Sequence, residues 1–377
     1  VSGRLSSLVV PLGVSYYTFK LVSYLVDVYW EKIPAERDVI AFLLYPVFFP
    51  QIVSGPIQRA RDFLPQVKAP GPVDPSFMAS GLRWILFGLF KKFVIADRLA
   101  LFVNRIFDDP YSYGSVALLL AIYAFAIQLY ADFSGLTDFA IGISRLFGID
   151  SPQNFAAPFY APNIQEFWRR WHITLTSWLT DYVFTPLRIA FRNRGDAGLA
   201  LAIGVNMVAI GAWHGARWTF VAFGVVNALY MTVSAFTLKP RNRFFKSHPA
   251  LAAIRAVAGP LVTFHLVAFA LILFKTATLA DAAYVFTHAL PSDLLGQSRM
   301  ALVESLRGLG FSFFQIYWAV LAIPLVEAVQ WIHRRGLLPR VFYTKPTWVR
   351  WSVYYAGILA ILLVGELEAR EFIYANF

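Results

Sequence analysis

The 377-residue sequence contains no cysteine. That absence excludes disulfides, Cys-ligated zinc, iron–sulfur clusters and a thiolate nucleophile. A covalent intermediate, if the chemistry uses one, has to sit on another side chain. Charge is also scarce: Asp, Glu, Lys and Arg make up 15% of the chain, against about 25% in soluble domains. Acidic residues are the scarcer sign, 22 against 33 basic ones, for a net charge of +11. Histidine occurs six times, at His172, His214, His248, His265, His288 and His333, with no pair at the i,i+4 spacing of a helical metal site. No metal site is therefore expected. GxGxxG, Walker and G-x-S-x-G patterns are missing as well.

What is present is apolar. Hydrophobic residues reach 58% and the mean hydropathy is +0.57. The apolar residues fall in long runs between short polar segments, which argues against a soluble enzyme, a disordered chain and a nucleic-acid-binding domain. The excess of base reads as cytoplasmic loops of a membrane protein rather than as a nucleic-acid surface, so no nucleic-acid partner is expected. Membrane lipid is the expected surrounding.

A spanning helix needs about 20 mostly apolar residues. Such runs lie near 5–30, 39–55, 77–96, 114–131, 197–213, 216–237, 251–274, 311–332 and 350–365. Between 132 and 186 the chain is apolar but punctuated by Gly135, Gly142, Gly148, Pro152, Pro158, Pro162 and Pro186. That stretch is expected to form short, tilted or re-entrant helices, which are tolerated at membrane depth only inside protein or beside a wet cavity. The fold expected is all-α: a polytopic integral membrane protein of about 9–11 transmembrane helices, with re-entrant or interfacial helices around a central tunnel. No repeat or linker divides residues 1–377, so one membrane-embedded domain is expected.

Loop charge orients the chain. Arg188, Arg192 and Arg194 precede one span, and Lys239, Arg241, Arg243 and Lys246 follow the next. Two further crossings, through the nearly neutral 275–310 loop, lead to His333, Arg334, Arg335, Arg340 and Lys345. The last span leads to Glu366, Glu368 and Glu371. The positive-inside rule places the basic clusters in the cytoplasm and the acidic tail outside. Arg59, Arg61 and Lys68 mark another cytoplasmic loop.

Ionisable groups inside apolar runs are expensive and are functional-site candidates by default. Three groups stand out. In Glu166–Trp178, helical spacing puts Trp168, Trp171, His172, Leu175 and Trp178 on one side, with Arg169, Arg170 and Thr174 elsewhere. An imidazole on an apolar stripe needs a partner. The bland alternative is an interfacial helix with Trp anchors and snorkelling arginines. In Asn206–Gly215, His214 sits in Gly211-Ala-Trp213-His-Gly215 after a long uncharged run. Histidine takes and gives protons near neutral pH; the alternative is a core histidine bonded to a carbonyl. In Tyr130–Asp138, Asp132 and Asp138 can perform acid/base work, bind a cation or carry a proton; the alternatives are helix capping by Asp132 or Ser134, or pairing with an arginine such as Arg145.

These stretches resemble the bacterial membrane-bound O-acyltransferases, in the branch of alginate O-acetylation membrane proteins. The matching segments are Pro11–Phe19, Ser23–Tyr29, Phe49–Ile57, Asp132–Gly135, Asn154–Tyr160, Phe167–Leu175, Gly211–Gly215 and Arg370–Tyr374. They cover nearly the whole chain in order. Ala212 and Ala375–Phe377 depart from the usual pattern. Family members carry additional N-terminal spans, so the resemblance implies that spans are missing before Val1. It also implies that His214 is the principal catalytic histidine and His172 a second active-site position, set in a tunnel with Trp213, Asn206, Trp171, Arg169, Arg170 and Asp132.

The activity implied is transfer of an acyl group, usually acetyl, from a cytoplasmic thioester to hydroxyls of an exported polysaccharide. The donor is acetyl-CoA or an acyl carrier, with no bound cofactor. Partner extracytoplasmic acetyltransferases complete the transfer, and the location is the bacterial inner membrane. In that reading His214 acts as general base or carries the acyl group itself. His172 or Asn206 stabilises the oxyanion or orients the acyl group, and Arg169 and Arg170 hold donor phosphates. Two other classes remain at this point: a transporter or flippase with a His/Asp proton relay, and a scaffold that only docks a soluble acetyltransferase. The first predicts inverted repeats, and the second predicts tolerance of His214 and His172 substitution.

Overall fold

The computed structural model describes residues 13–290 apart from 54 and 73, then 317, 318, 321, 325 and 345–368. Most of the expected 311–332 span, His333, residues 291–310 of the 275–310 loop and the Arg370–Tyr374 signature lie outside the described residues. So do the first part of the 5–30 span and the first two residues of the matching segment Pro11–Phe19. Among the described residues all regular structure is helical. The helices are α1 (Val14–Tyr29), α2 (Val39–Val47), α3 (Phe49–Ile52), α4 (Ala60–Lys68), α5 (Pro75–Leu89), α6 (Asp97–Asp108) and α7 (Ser115–Leu146). They continue with α8 (Ile164–Arg170), α9 (Ile173–Leu179), α10 (Thr185–Ala190), α11 (Gly195–Trp213), α12 (Trp218–Ser247), α13 (Pro249–Lys275), α14 (Leu279–His288) and α15 (Thr347–Val364).

Five of the described helices are long and apolar enough to cross a membrane: α7, α11 with the turn before it, α12, α13 and α15. The chain is an all-α, multi-pass membrane protein. α11 and α12 form a tight hairpin, and α13 returns beside α12. The basic clusters at the start of α11 and the end of α12 therefore lie at the same end of the hairpin, as the loop charges require.

Three expected elements differ. The 39–55 run is not one span. A nine-residue α2 is about 14 Å long, less than half the hydrocarbon thickness. The chain breaks at Phe48, whose ψ is 100°, and Pro50 supplies no N–H to continue the helix. The run also has a polar commitment: the fully buried Gln51 accepts from Lys20 Nζ at 2.6 Å and donates to Gln58 and Ser151. The 77–96 run continues through a π-helical stretch, Phe90–Ala96, into α6. Finally, the 132–186 break begins only after Leu146, because α7 runs unbroken for 32 residues.

The glycines that suggested a break in α7 are contact points. α5 crosses α7 with Gly88 against Gly135 and Gly81 against Gly142. A Cβ on Gly135 would come within 2.8 Å of the Gly88 carbonyl oxygen, and one on Gly142 within 2.6 Å of that of Gly81. Small residues at such crossings let membrane helices meet backbone to backbone. Both pairs are seven residues apart, two turns of helix, so one face of each helix carries the contact.

The same interface buries charge. Lys92 Nζ lies 2.8 Å from Asp132 and 2.9 Å from Asp97. Lys91 pairs with Asp138 at 2.5 Å and donates to Ser134 Oγ at 3.1 Å. All five ionic side chains are at most 10% exposed. Asp132 and Asp138 sit in mid-helix, so neither caps a helix end, and Arg145 pairs with Asp150 instead. Two ammonium groups facing three carboxylates allow a charged segment to enter an otherwise apolar bundle.

Removing one member of a buried pair leaves an uncompensated charge, which costs about 3–5 kcal/mol. Lys92→Met is expected to lower the thermal midpoint of purified protein more than the triple change Lys92→Met/Asp97→Asn/Asp132→Asn. Equal losses would show that the charges are not coupled. Orientation is testable because the chain has no native thiol. A cysteine in place of the exposed Lys246 is expected to react with an impermeant maleimide from the cytoplasmic face only. Labelling of intact cells from outside would invert the topology.

Candidate active site

The segment Glu166–Trp178 is two helices, not one. α8 ends at Arg170 and α9 starts at Ile173, with His172 between them in the left-handed region at φ 44°, ψ 54°. That conformation is costly for a residue with a Cβ and persists only where the surroundings enforce it. A crossing loop does so here: Ile173 N–H donates to the Asn154 carbonyl at 2.9 Å, and Ala156 N–H donates to that of Arg170 at 3.1 Å. The loop takes backbone partners that a continuous helix would have used. Trp168, Trp171, His172, Leu175 and Trp178 are all buried, as the stripe requires. Thr174, expected off the stripe, is buried as well, bonded to Asn154 Oδ1 at 2.6 Å and to Ile57 N at 2.9 Å.

His214 is the residue that ends α11. Its position depends on how closely α12 approaches: a Cβ on Gly211 would collide with the Phe220 carbonyl. The Gly211 carbonyl accepts the His214 N–H at 3.1 Å. Gly215 follows at φ 140°, a backbone setting that a residue with a Cβ rarely adopts, and it turns the chain into α12.

The two histidines line one cavity. Trp213 stands between them, its ring centroid 6.1 Å from that of His172 and 4.7 Å from that of His214. Phe133 packs edge-on to His172 at 4.6 Å, and Phe274 edge-on to His214 at 4.8 Å. Leu129, Ile210, Phe223 and Leu271 supply further apolar wall, and Trp168, Trp171 and Thr176 bring the remaining polar atoms. The space open to a water centre is about 20 Å³, enough for one or two water-sized groups. Both imidazoles are at most 4% exposed.

Several buried polar atoms have no hydrogen-bond partner among the described residues: His172 Nε2, Trp168 Nε1 and Asn206 Oδ1. Trp168 is a pure donor on the cavity wall. Asn206 is buried one turn before Ile210, on the same face of α11.

Other expected tunnel residues lie elsewhere. Arg169 points outward, its side chain 72% exposed, and is bonded to Glu166 at 2.6 Å. Arg170 reaches the Tyr160 carbonyl at 3.4 Å and the same Glu166. Neither lines the cavity. The i,i+3 and i,i+4 spacing to Glu166 explains this, since both guanidinium groups meet a carboxylate on their own helix. Asp132 points into the lysine pairs between α5, α6 and α7. Of the other histidines, His265 bonds the Leu261 carbonyl one turn back, and His248 and His288 sit at helix ends in exposed positions. Sequence reasoning missed Phe274, Leu271 and Leu129, which carried no signal beyond apolarity. It also passed over Asn154, Lys91 and Lys92; the lysines were readable as charges inside an apolar run.

The chain is 32% identical over 308 residues to the peptidoglycan O-acetyltransferase of Helicobacter pylori, covering 74% of this chain and 56% of that protein. It is 35% identical over 229 residues to "Probable alginate O-acetylase AlgI" of Azotobacter vinelandii, covering 60% and 44%. It is 32% identical over 273 residues to the teichoic acid D-alanyltransferase of Bacillus subtilis (strain 168), covering 70% and 68%. The chain spans about half the length of the two acetylating relatives. The sequence profile of the membrane-bound O-acyltransferase family matches residues 31–275, a stretch that contains α2 to α13, His172 and His214. The chain belongs to the membrane-bound O-acyltransferase (MBOAT) family.

Proposed function

We propose that the protein is a membrane O-acyltransferase, working in the bacterial inner membrane. It moves an acetyl group from a cytoplasmic thioester, acetyl-CoA or an acyl carrier, toward hydroxyls of an exported polysaccharide. The observation that carries this reading is the pair of buried imidazoles on one apolar cavity, bridged by Trp213, in the fold of an acyltransferase family. Relatives named for peptidoglycan and alginate acetylation support acetyl as the acyl group and a polysaccharide as the acceptor.

In this mechanism His214 takes the proton from an acceptor hydroxyl as its oxygen attacks the thioester carbonyl. The new C–O bond forms, the C–S bond breaks, and the leaving thiolate takes up the proton that His214 removed, which returns the imidazole to its neutral state. General-base assistance is worth about 10²–10⁴-fold. The buried indole N–H of Trp168, on the cavity wall, is the donor for the carbonyl oxygen as it gains charge; such a donor is worth about 10²–10³-fold. The dry walls strengthen both effects, because hydrogen bonds to developing charge gain in a low dielectric. An extracytoplasmic acetyltransferase partner completes delivery to the polymer.

His214→Ala is expected to lower thiol release from acetyl-CoA, and acetyl ester on the isolated exopolysaccharide, by at least roughly 10²-fold. Its thermal midpoint is expected to stay near that of the parent protein. Normal ester content in cells carrying only the variant would overturn the reading.

A further inference from the structure

We infer that Asn154 is a positioning residue. It fixes His172 with its proton on Nδ1, leaving Nε2 to accept a hydrogen bond from the acyl acceptor's hydroxyl. The inference rests on the acyl-transfer reading for the identity of that hydroxyl; the tautomer itself rests on geometry alone.

The argument starts from donors whose roles have no alternative. A backbone N–H can only donate. Thr174 N–H points at Asn154 Oδ1 at 3.2 Å. The atom of the Asn154 amide on that side is therefore the oxygen, because a turned-over amide would set NH₂ against N–H. The second fixed donor is Ile57 N–H, which gives its proton to Thr174 Oγ1 at 2.9 Å. The Thr174 hydroxyl donates its own proton to Asn154 Oδ1 at 2.6 Å, because an amide oxygen only accepts. The amide holds this orientation although its Nδ2 stays buried without a partner among the described residues.

The same oxygen lies 3.3 Å from His172 Nδ1. An amide oxygen only accepts, so Nδ1 must carry a proton. In the neutral ring, Nε2 then carries the lone pair. Nε2 is buried and has no partner among the described residues, and His172 lines the cavity. A ring nitrogen in that state cannot donate to an oxyanion. It can hold a hydroxyl hydrogen, and with it the direction of the hydroxyl oxygen. The oxyanion role expected for His172 therefore passes to Trp168, a pure donor on the cavity wall.

Asn154 holds the residue as well as the ring. Its carbonyl receives the N–H of Ile173, next to the left-handed His172. The chain Ile57–Thr174–Asn154–His172 thus ties the loop after α3 to the site, across 117 residues of sequence between Ile57 and Thr174.

The test uses the full chain in lipid nanodiscs, with acetyl-CoA as the probe for transfer and ¹⁵N-labelled histidine for the tautomer. The His172 signal is identified by its loss in His172→Gln. In the parent protein, Nδ1 is expected to be protonated and Nε2 not. Asn154→Leu removes the acceptor: the signal is expected to become a mixture of tautomers, and kcat to fall by roughly 10²–10⁴-fold, the scale on which tautomer control acts. Asn154→Asp keeps an acceptor oxygen facing Nδ1 and is expected to restore the Nδ1–H form and to recover activity relative to Asn154→Leu.

A parent spectrum with Nε2 protonated would overturn the inference, as would an unchanged tautomer in Asn154→Leu. If Asn154→Leu does not fold, the parent spectrum and Asn154→Asp carry the test. Full activity of His214→Ala would remove the acyl-transfer reading and leave the spectroscopic result standing, so the two failures are distinguishable.

Discussion

The structure depends on pairing charge inside an apolar bundle. Lys91 and Lys92 enter the interior from the π-helical stretch between α5 and α6, and Asp97, Asp132 and Asp138 meet them there. An isolated ion in such a place is prohibitive, and a matched set is not. The glycine crossings bring α5 and α7 together, and the ion pairs set which residues face each other when they meet. Among the described spanning helices α7 is the most buried, with 78% of its apolar stretch inside the protein. Fixing its rotation fixes Leu129 and Phe133 against the cavity and His172.

The site itself is assembled from chain breaks. His172 sits where α8 stops and α9 begins, and His214 where α11 stops and α12 begins. Helix ends leave backbone groups that need partners and let a side chain project out of the helical register. A regular helix could carry a histidine on an apolar stripe, but it would not hold the ring against a loop amide and leave the second ring nitrogen at a cavity wall. Trp213 joins the two breaks by touching both rings. The arrangement suits a transfer reaction, in which a hydroxyl and a carbonyl must be oriented independently and then brought together without water.

Several of these features were legible in the sequence for a physical reason. Histidines at 172 and 214 interrupt apolar runs, and a membrane makes that interruption costly enough to require a purpose. The same reasoning applied to Lys91 and Lys92 would have found the partners of Asp132 and Asp138. Periodicity placed Trp168, Trp171, Leu175 and Trp178 inside, although the helix that periodicity assumed is broken. Gly135 and Gly142 misled because glycine marks both breaks and close approaches, and only the facing helix tells them apart. Arg169 and Arg170 misled because their charge suggested a ligand, while Glu166 on the same short helix already answers it.

The sequence by itself determined the medium, the class of fold and the two histidines. Long apolar runs, basic loops and isolated imidazoles are local facts, each readable within one or two turns of chain. The tertiary structure decided how those residues act. It took α5 to reveal why α7 carries glycines, the Asn154 loop to break the helix at His172, and the α11–α12 hairpin to bring His214 to the same cavity. Those contacts join residues of different helices and loops, up to 61 positions apart at the Gly81–Gly142 crossing, and the energy that selects them comes from close backbone packing and from pairing polar groups across the fold, which no local pattern contains.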